Sequence, residues 1–352
     1  AASVLGRLGN ASEAVINALL LRLEDKNNSV RGEAALALGN LGNASEAVIN
    51  ALLLGLENGD NSMRASAASV LGRLGNASEA VINALLLRLE DENNSVRREA
   101  AASALGNLGN ASEAVINALL LRLEDENNSV RGEAAYALGN LGNASETLIN
   151  ALLLRLEDEA KSVRREAVYV LGKLGNASET LINALLLRLE DEANSVRREA
   201  VSVLGRLGNA SEVVINALLL CLEDEDNSVR RLAASALRNL GNASESVISA
   251  LLLGLEDGDN SLRSSAASAL GRLGNASEAV ISALLQRLED GEDLVRYFAA
   301  EALGNLGLKS SEVLPAVVQW VEQHQDAKYL GLGIDVLWDL VAGEGNRSPV
   351  PF

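Results

Sequence analysis

LGNASEAVINALL, residues 41–53, decides how the rest of the chain is read. Its six-residue core, LGNASE, occurs nine times. The asparagine of that core falls at Asn10, Asn43, Asn76, Asn110, Asn143, Asn176, Asn209, Asn242 and Asn275, in steps of 33 with a single 34 between Asn76 and Asn110. Repetition at such a period outranks length as a guide to architecture, so one design covers almost all of the 352 residues. Aromatic residues make up 2% of the chain and prolines number three, while alanine and leucine dominate, which suits helices packed closely on helices.

The segment after each core has helical periodicity. From Asn10, residues Val15, Ile16, Leu19, Leu20 and Leu23 recur on one face, and Ala14, Ala18 and Leu21 form a second apolar stripe. A helix apolar on two sides is expected to be covered on both, the second time by the neighbouring repeat. After the polar turn EDKNNS, a second helix is expected from about Ser29 to Leu41, burying Val30, Ala34, Ala37, Leu38 and Leu41 and stopping at Gly42. Gly39 costs that helix about 1 kcal/mol of propensity relative to Ala, which fits a close approach of two helix axes. LGNASE then reads as a junction: Gly42 ends one helix in a left-handed turn, Asn43 caps the next with Ala44 at its first position, and Glu46 completes a capping box. Asn43-Ala44-Ser45 also satisfies the rule for sugar attachment, but an asparagine committed to backbone N–H groups is a poor acceptor.

A pair of such helices buries too little alone; stacked pairs share a core and need closed ends. The prediction is therefore all-α, an α-solenoid or superhelix of stacked antiparallel helix pairs with a 33-residue period. Residues 1–9 align with a second helix and supply a half repeat, and full repeats start at 10, 43, 76, 110, 143, 176, 209, 242 and 275, giving a solenoid over 1–307. Beginning halfway through a unit and without Met, the chain is expected to be a piece of something longer. Residues 308–345 keep the length of a repeat but hold Pro315, Trp320, His324, Tyr329 and Trp338, large groups expected to close the C-terminal end of the core; 346–352 form a tail. The 34-residue step arises in SVRREAAASALG, residues 95–106. One extra residue turns a helix by about 100°, so the offset is either absorbed near a helix end or carried by a bend or π-bulge.

The ankyrin T-P-L-H and tetratricopeptide W-x-x-L-G-x-x-Y signatures are absent. The second-helix pattern of Asp, a short gap, Val-Arg and then Ala-Ala-x-Ala-Leu-Gly resembles the HEAT repeat, in the short variety of phycobilisome lyases. SVRREAVYVLGKLGNASETLINALLLRLEDE, residues 162–192, resembles the HEAT arrays that follow NACHT-type NTPase domains in cyanobacterial signalling proteins. Over residues 1–307 the resemblance implies a non-catalytic scaffold or sensor region that binds a protein or peptide on the concave face, which second helices line in HEAT solenoids. The G-x-x-x-x-G-K-[ST] loop of an NTPase is absent from this chain. The alternative it implies is a subunit of a bilin lyase or related pigment-handling enzyme, which would require singular polar and aromatic residues at one site. A sequence-engineered consensus array is disfavoured by Cys221, by Arg238 in the place of the helix Gly and by the inserted residue.

The net charge of −18 argues against general affinity for nucleic acid or anionic membranes. Of the 48 acidic residues, 27 lie in the turns after the first helices, predicting an acidic ridge. Neither a signal-like segment nor an apolar run of about 20 residues occurs, and the one cysteine cannot form an intramolecular disulfide, so a cytoplasmic protein is expected. His324 and Cys221, each the only one of its kind, cannot build a metal cluster or a nucleophile–base pair; no catalytic residue, metal or cofactor is expected. His324 is expected in solvent, and Cys221 is expected as a modifiable thiol on a helix surface, where most repeats carry Arg. EDGDNS, residues 256–261, lacks the twelve-residue spacing and terminal Glu of an EF-hand.

Two kinds of position remain. Arg31, Arg64, Arg97, Arg131, Arg164, Arg197, Arg230, Arg263 and Arg296 recur once per repeat, as a ladder whose forks bridge adjacent turns or, alternatively, as contacts for an extended acidic partner. The next positions vary: Gly32-Glu33, Ala65-Ser66, Arg98-Glu99, Arg165-Glu166, Arg231-Leu232 and Tyr297-Phe298 are equivalents. Variation beside an unvarying core marks an outward face, and Tyr and Arg are common interface anchors. The partner-binding candidates are Arg98, Tyr136, Arg165, Tyr169, Arg198, Arg231, Leu232, Tyr297 and Phe298.

Overall fold

The computed structural model describes Val4, Gly6 and residues 11–175, 177–325 and 328–342, with the backbone alone at Glu99, Ala101 and Ser103. Most of the half repeat 1–9, the junction residues Asn10 and Asn176, residues 343–345 and the tail 346–352 lie outside the described residues. The chain divides into two compact units, Ala1–Asn176 and Ala177–Phe352. In the first, helices Glu13–Arg22, Glu46–Asn58, Glu79–Arg88, Glu113–Arg122 and Glu146–Arg155 each precede a second helix, at Asn28–Leu41, Asn61–Leu74, Asn94–Glu99 with its continuation, Asn128–Leu141 and Lys161–Leu174. In the second, Glu179–Arg188, Glu212–Leu220, Glu245–Gly254, Glu278–Arg287 and Val313–Gln323 alternate with Asn194–Leu207, Asn227–Leu240, Asn260–Leu273, Asp293–Gly307 and Leu330–Ala342. Every element among the described residues is helical, as the composition predicts.

Small side chains set the stacking distance. Ala34, Ala37 and Leu38 are buried as expected, while Val30 and Leu41 are half-buried. A Cβ on Gly39 would come within 2.9 Å of Val70 Cγ2, and one on Gly139 within 2.8 Å of Val170 Cγ1. Second helices of successive repeats therefore touch almost backbone to side chain. First helices are covered less. Ile16, Leu19 and Leu23 are buried, but the second stripe expected to be covered is not: Ala14 and Ala18 are exposed, Leu21 is 68% exposed and Leu54 58%. The alanine-rich second helices approach so closely that burial concentrates on their row, leaving one side of each first helix in water.

The junction also differs from its sequence reading. Gly42 is left-handed, with φ 67°. The N-cap is Ser45 rather than Asn43, and the helix starts at Glu46. Asn43 Oδ1 accepts from Ser45 N–H at 3.0 Å, closing a turn before the helix, so Ala44 is not helical and Glu46, as the first helical residue, forms no capping box. Glu46 instead faces the positive end of the helix dipole.

The inserted residue resolves into π-helix over Ala100–Gly106. Winding wider over those residues absorbs the extra one without rotating the residues beyond it: Val96 before it and Leu105 near its end are both fully buried. Near the C-terminal end, Trp320 is buried and seats its ring on Gly333, where a Cβ would lie 2.5 Å from Trp320 Cζ3. Trp338, expected to close the core, is 62% exposed. His324, expected in solvent, is half-buried. Its ring stacks on Trp320 with centroids 4.6 Å apart, Nδ1 lies 2.7 Å from Trp320 O, and Nε2 lies 3.1 Å from Glu289 Oε1.

Candidate interaction groove

Within each unit, ladder arginines tie a turn to the next. Arg64 Nη1 donates to Gly59 O of its own turn at 2.9 Å, and its Nε and Nη2 donate to the two oxygens of Asp91, one repeat on, at 2.8 and 2.9 Å. Arg97 repeats this with Asp91 O and Asp125, and Arg131 with Asp125 O and Asp158. Arg31 reaches Asp60. Arg164 donates to Asp158 O at 2.9 Å. In the second unit Arg197 bridges Asp191 O to Asp224, Arg230 meets Asp257, and Arg263 bridges Asp257 O to Asp290. Arg296 ends the series differently, donating to Asp290 O at 2.6 Å with its guanidinium 3.9 Å from the centre of the Tyr329 ring.

A fork filled on both edges is spent on structure. Arg97 and Arg131 are each 6% exposed, which leaves little surface for an acidic partner to contact. The aspartates are equally occupied. Asp91 Oδ1 accepts from Asn93 N–H at 3.0 Å as well as from Arg64. Burial would raise the Asp91 carboxyl, but hydrogen bonds from Arg64 and Asn93 and the charges of Arg64 and Arg88 outweigh it and hold the group below the ordinary range. The acidic ridge is therefore partly neutralised from within: Asp125 and Asp158 are 4% exposed, while Glu126 and Glu159 are 87% and 88% exposed.

A further set of ties runs through the first helices, from a position that carries Arg in six repeats, Gly55 and Gly254 in two and Cys221 in one. Arg122 Nη1 donates to Leu89 O at 3.0 Å, Arg155 to Leu123 O at 2.9 Å and Arg287 to Leu255 O at 3.0 Å. Cys221 occupies the same place in its repeat and is buried, contrary to the surface position expected for it. There the helix ends at Leu220 and tightens into a 3₁₀ turn, Cys221–Glu223, that keeps the side chain inside. Burial and the nearby Asp224 push its thiol up to about 12, so it is a packing group.

Of the varying positions, Arg165 and Tyr297 are exposed and Arg98, Arg198 and Arg231 half-buried, whereas Gly32 and Ser264 are buried. Within the first unit, Arg98, Tyr136 and Arg165 converge on an open groove of about 410 Å³. Its middle is Gly132, one turn before Tyr136 on the same helix, with Ser129 and Ser162 toward the helix starts. A Cβ on Gly132 would meet nothing within 4 Å. Tyr136 is 38% exposed; Arg165 Nη2 lies 3.9 Å from Glu166 Oε2, and Glu133 and Glu166 also line the groove. Tyr169, half-buried, does not line it. In the second unit, Arg198, Arg231 and Leu232 are half-buried, and Tyr297 and Phe298 pack edge to face at 5.2 Å. Sequence reading missed Gly132. The signal was present, because Gly132 stands in a row whose equivalents include Arg98, Arg165, Arg198 and Arg231.

The family pattern for HEAT repeats matches in overlapping windows, residues 1–72, 16–106, 82–153, 116–205, 149–238, 182–271, 215–304 and 248–330. The chain belongs to the HEAT-repeat family. No curated protein matches it. Among solved structures, importin beta in an ammonium sulfate condition is similar at a TM-score of 0.68 and 16% identity, covering 99% of this chain and 56% of that one. Kap95p, solved in a study of its binding to RanGDP, is similar at 0.65 and 13% identity, covering 96% and 53%. An engineered protein is similar at 0.51 and 21% identity, covering 94% and 99%. This HEAT chain thus spans about half the length of importin beta and of Kap95p. At these identities the likeness is one of fold, and it agrees with the α-solenoid class. None of the described helices is long and apolar enough to cross a membrane.

Proposed function

We propose that this HEAT array is a protein-recognition scaffold that binds a peptide segment or protein along the outward, concave-lining side of its second helices. One observation carries the reading: residues that vary between repeats gather into a groove at Arg98, Gly132, Tyr136 and Arg165, while the ladder arginines beside them are committed to the fold. A binding surface laid over an invariant frame is how solenoids diversify partners. The solved structure of Kap95p, which by its description binds RanGDP, supports a binding role for the architecture. Placement in a larger signalling protein rests on the likeness of residues 162–192 to arrays that follow NTPase domains. No feature of the groove favours a pigment-handling role.

Peptide display on the immobilised chain tests the reading. Selection is expected to enrich binders whose capture falls at least about tenfold in the Tyr136→Ala, Tyr169→Ala double variant, as for aromatic anchors of an interface. Absence of enrichment, or binders indifferent to both tyrosines, would overturn it.

A further inference from the structure

The groove has the form of a missing side chain. At the position after each ladder arginine, four repeats carry Arg98, Arg165, Arg198 and Arg231, and the first three are followed by Glu99, Glu166 and Glu199. The repeat starting at Asn110 keeps the acid, Glu133, but has Gly132 in the place of the arginine. The only other Gly-Glu pair at these positions, Gly32-Glu33, leaves no such space: a Cβ on Gly32 would lie 3.3 Å from Ser62 Oγ and 3.5 Å from Ser66 Oγ. Above Gly132 there is open groove.

Resting on the peptide-binding reading above, we infer that the gap at Gly132 receives an arginine side chain supplied by an extended segment of a partner protein. Three features match that chemistry. Glu133 and Glu166 place carboxylates on the groove wall, and each carboxylate can accept from more than one guanidinium. Tyr136 presents a partly exposed ring one turn from the gap, a surface for a guanidinium to stack on, as Arg296 does on Tyr329 at 3.9 Å in this same chain. The chain as a whole carries −18, which attracts a basic partner from a distance. Arg98 and Arg165 belong to the repeats on either side, their backbones two interhelix spacings apart, roughly 20 Å. A cation in the gap lies about half that distance from each, close to one Debye length at physiological salt, so their repulsion is weakened and the carboxylates of Glu133 and Glu166 offset the remainder.

The test uses the whole chain and two fluorescein-labelled Gly/Ser peptides, one with three central arginines and one with citrulline in their place, read by fluorescence polarisation. Citrulline keeps the shape and loses the charge. The arginine peptide is expected to bind at least about tenfold more tightly. Gly132→Arg fills the gap from within and should abolish that preference while leaving the thermal midpoint unchanged or higher, since arginine stands at this position in four repeats. Glu133→Gln with Glu166→Gln should reduce it by a similar factor. Equal binding of the two peptides, or a preference that survives Gly132→Arg, would overturn the inference, the latter by showing that the acidic turns bind the peptide without the groove. Displayed binders that depend on Tyr136 and Tyr169 but lack arginine would leave the scaffold reading standing and remove this one.

Discussion

Gly132 and Gly139 lie two turns apart on one helix and face opposite requirements. Open space surrounds Gly132, so Gly132→Ala should raise stability by about 0.5–1 kcal/mol through helix propensity and reduced freedom of the unfolded chain. Gly139 is pressed against Val170, and Gly139→Ala should cost about 1–3 kcal/mol through overpacking. Urea unfolding of the two variants checks the pair, and a like sign for both would contradict the packing described. Asp158 sets the response to acid. Burial raises its carboxyl, but hydrogen bonds from Arg131 and Ala160 N–H and the charges of Arg131 and Arg155 prevail and hold it low. Its folded pKa therefore lies below the unfolded value of about 3.9. The stability it contributes is complete above that value and is lost as pH falls through the folded pKa. Asp91 and Asp290 are held low in the same way. The urea midpoint should be level from neutral pH to about 5 and fall below about 4, less steeply in Asp158→Asn. A main drop above pH 5 would assign the effect to other groups.

At the scale of the helix, the starts of the second helices show what a cap contributes. Asn127, Asp226 and Asp259 each accept from the N–H groups two and three residues on, whereas Ala160 and Ala193 stand at the same position and make no such bond. Ala160→Asn should therefore stabilise the protein by about 1 kcal/mol, measured as a rise in the urea midpoint; no change would mean that those N–H groups are already satisfied. Its apolar pattern places the first of the second-helix starts at about Ser29, one residue inside the observed start at Asn28. The LGNASE junction was not legible, since Asn43 bonding the N–H two residues on is common to a cap and to a turn before one. The extended backbone of Ser45, φ −62° and ψ 152°, is what puts the start at Glu46. Similarly, 34 residues in place of 33 announced an offset, and only the packing of Val96 and Leu105 required it to be spread through a π-helix.

At the scale of the molecule, near-identical repeats imply near-identical interfaces, so stability should be close to a sum over repeats and their neighbours. Removal of residues 209–241, one period of the second unit, would bring Arg197 opposite Asp257 in place of Asp224. The shortened chain should fold with the same helix content per residue by circular dichroism; a loss of helix per residue would show that the repeats are not interchangeable. The sequence alone determined the helical class, the period, the ladder positions and which residues vary, because all of these are local or periodic properties of one chain. Tertiary structure alone decided which apolar stripe is covered, where Cys221 and Trp338 lie, and that Gly132 opens a groove while Gly32 does not. Those outcomes depend on how near the neighbouring helix comes, and that distance is set by pairs of side chains far apart in sequence, such as Gly139 and Val170.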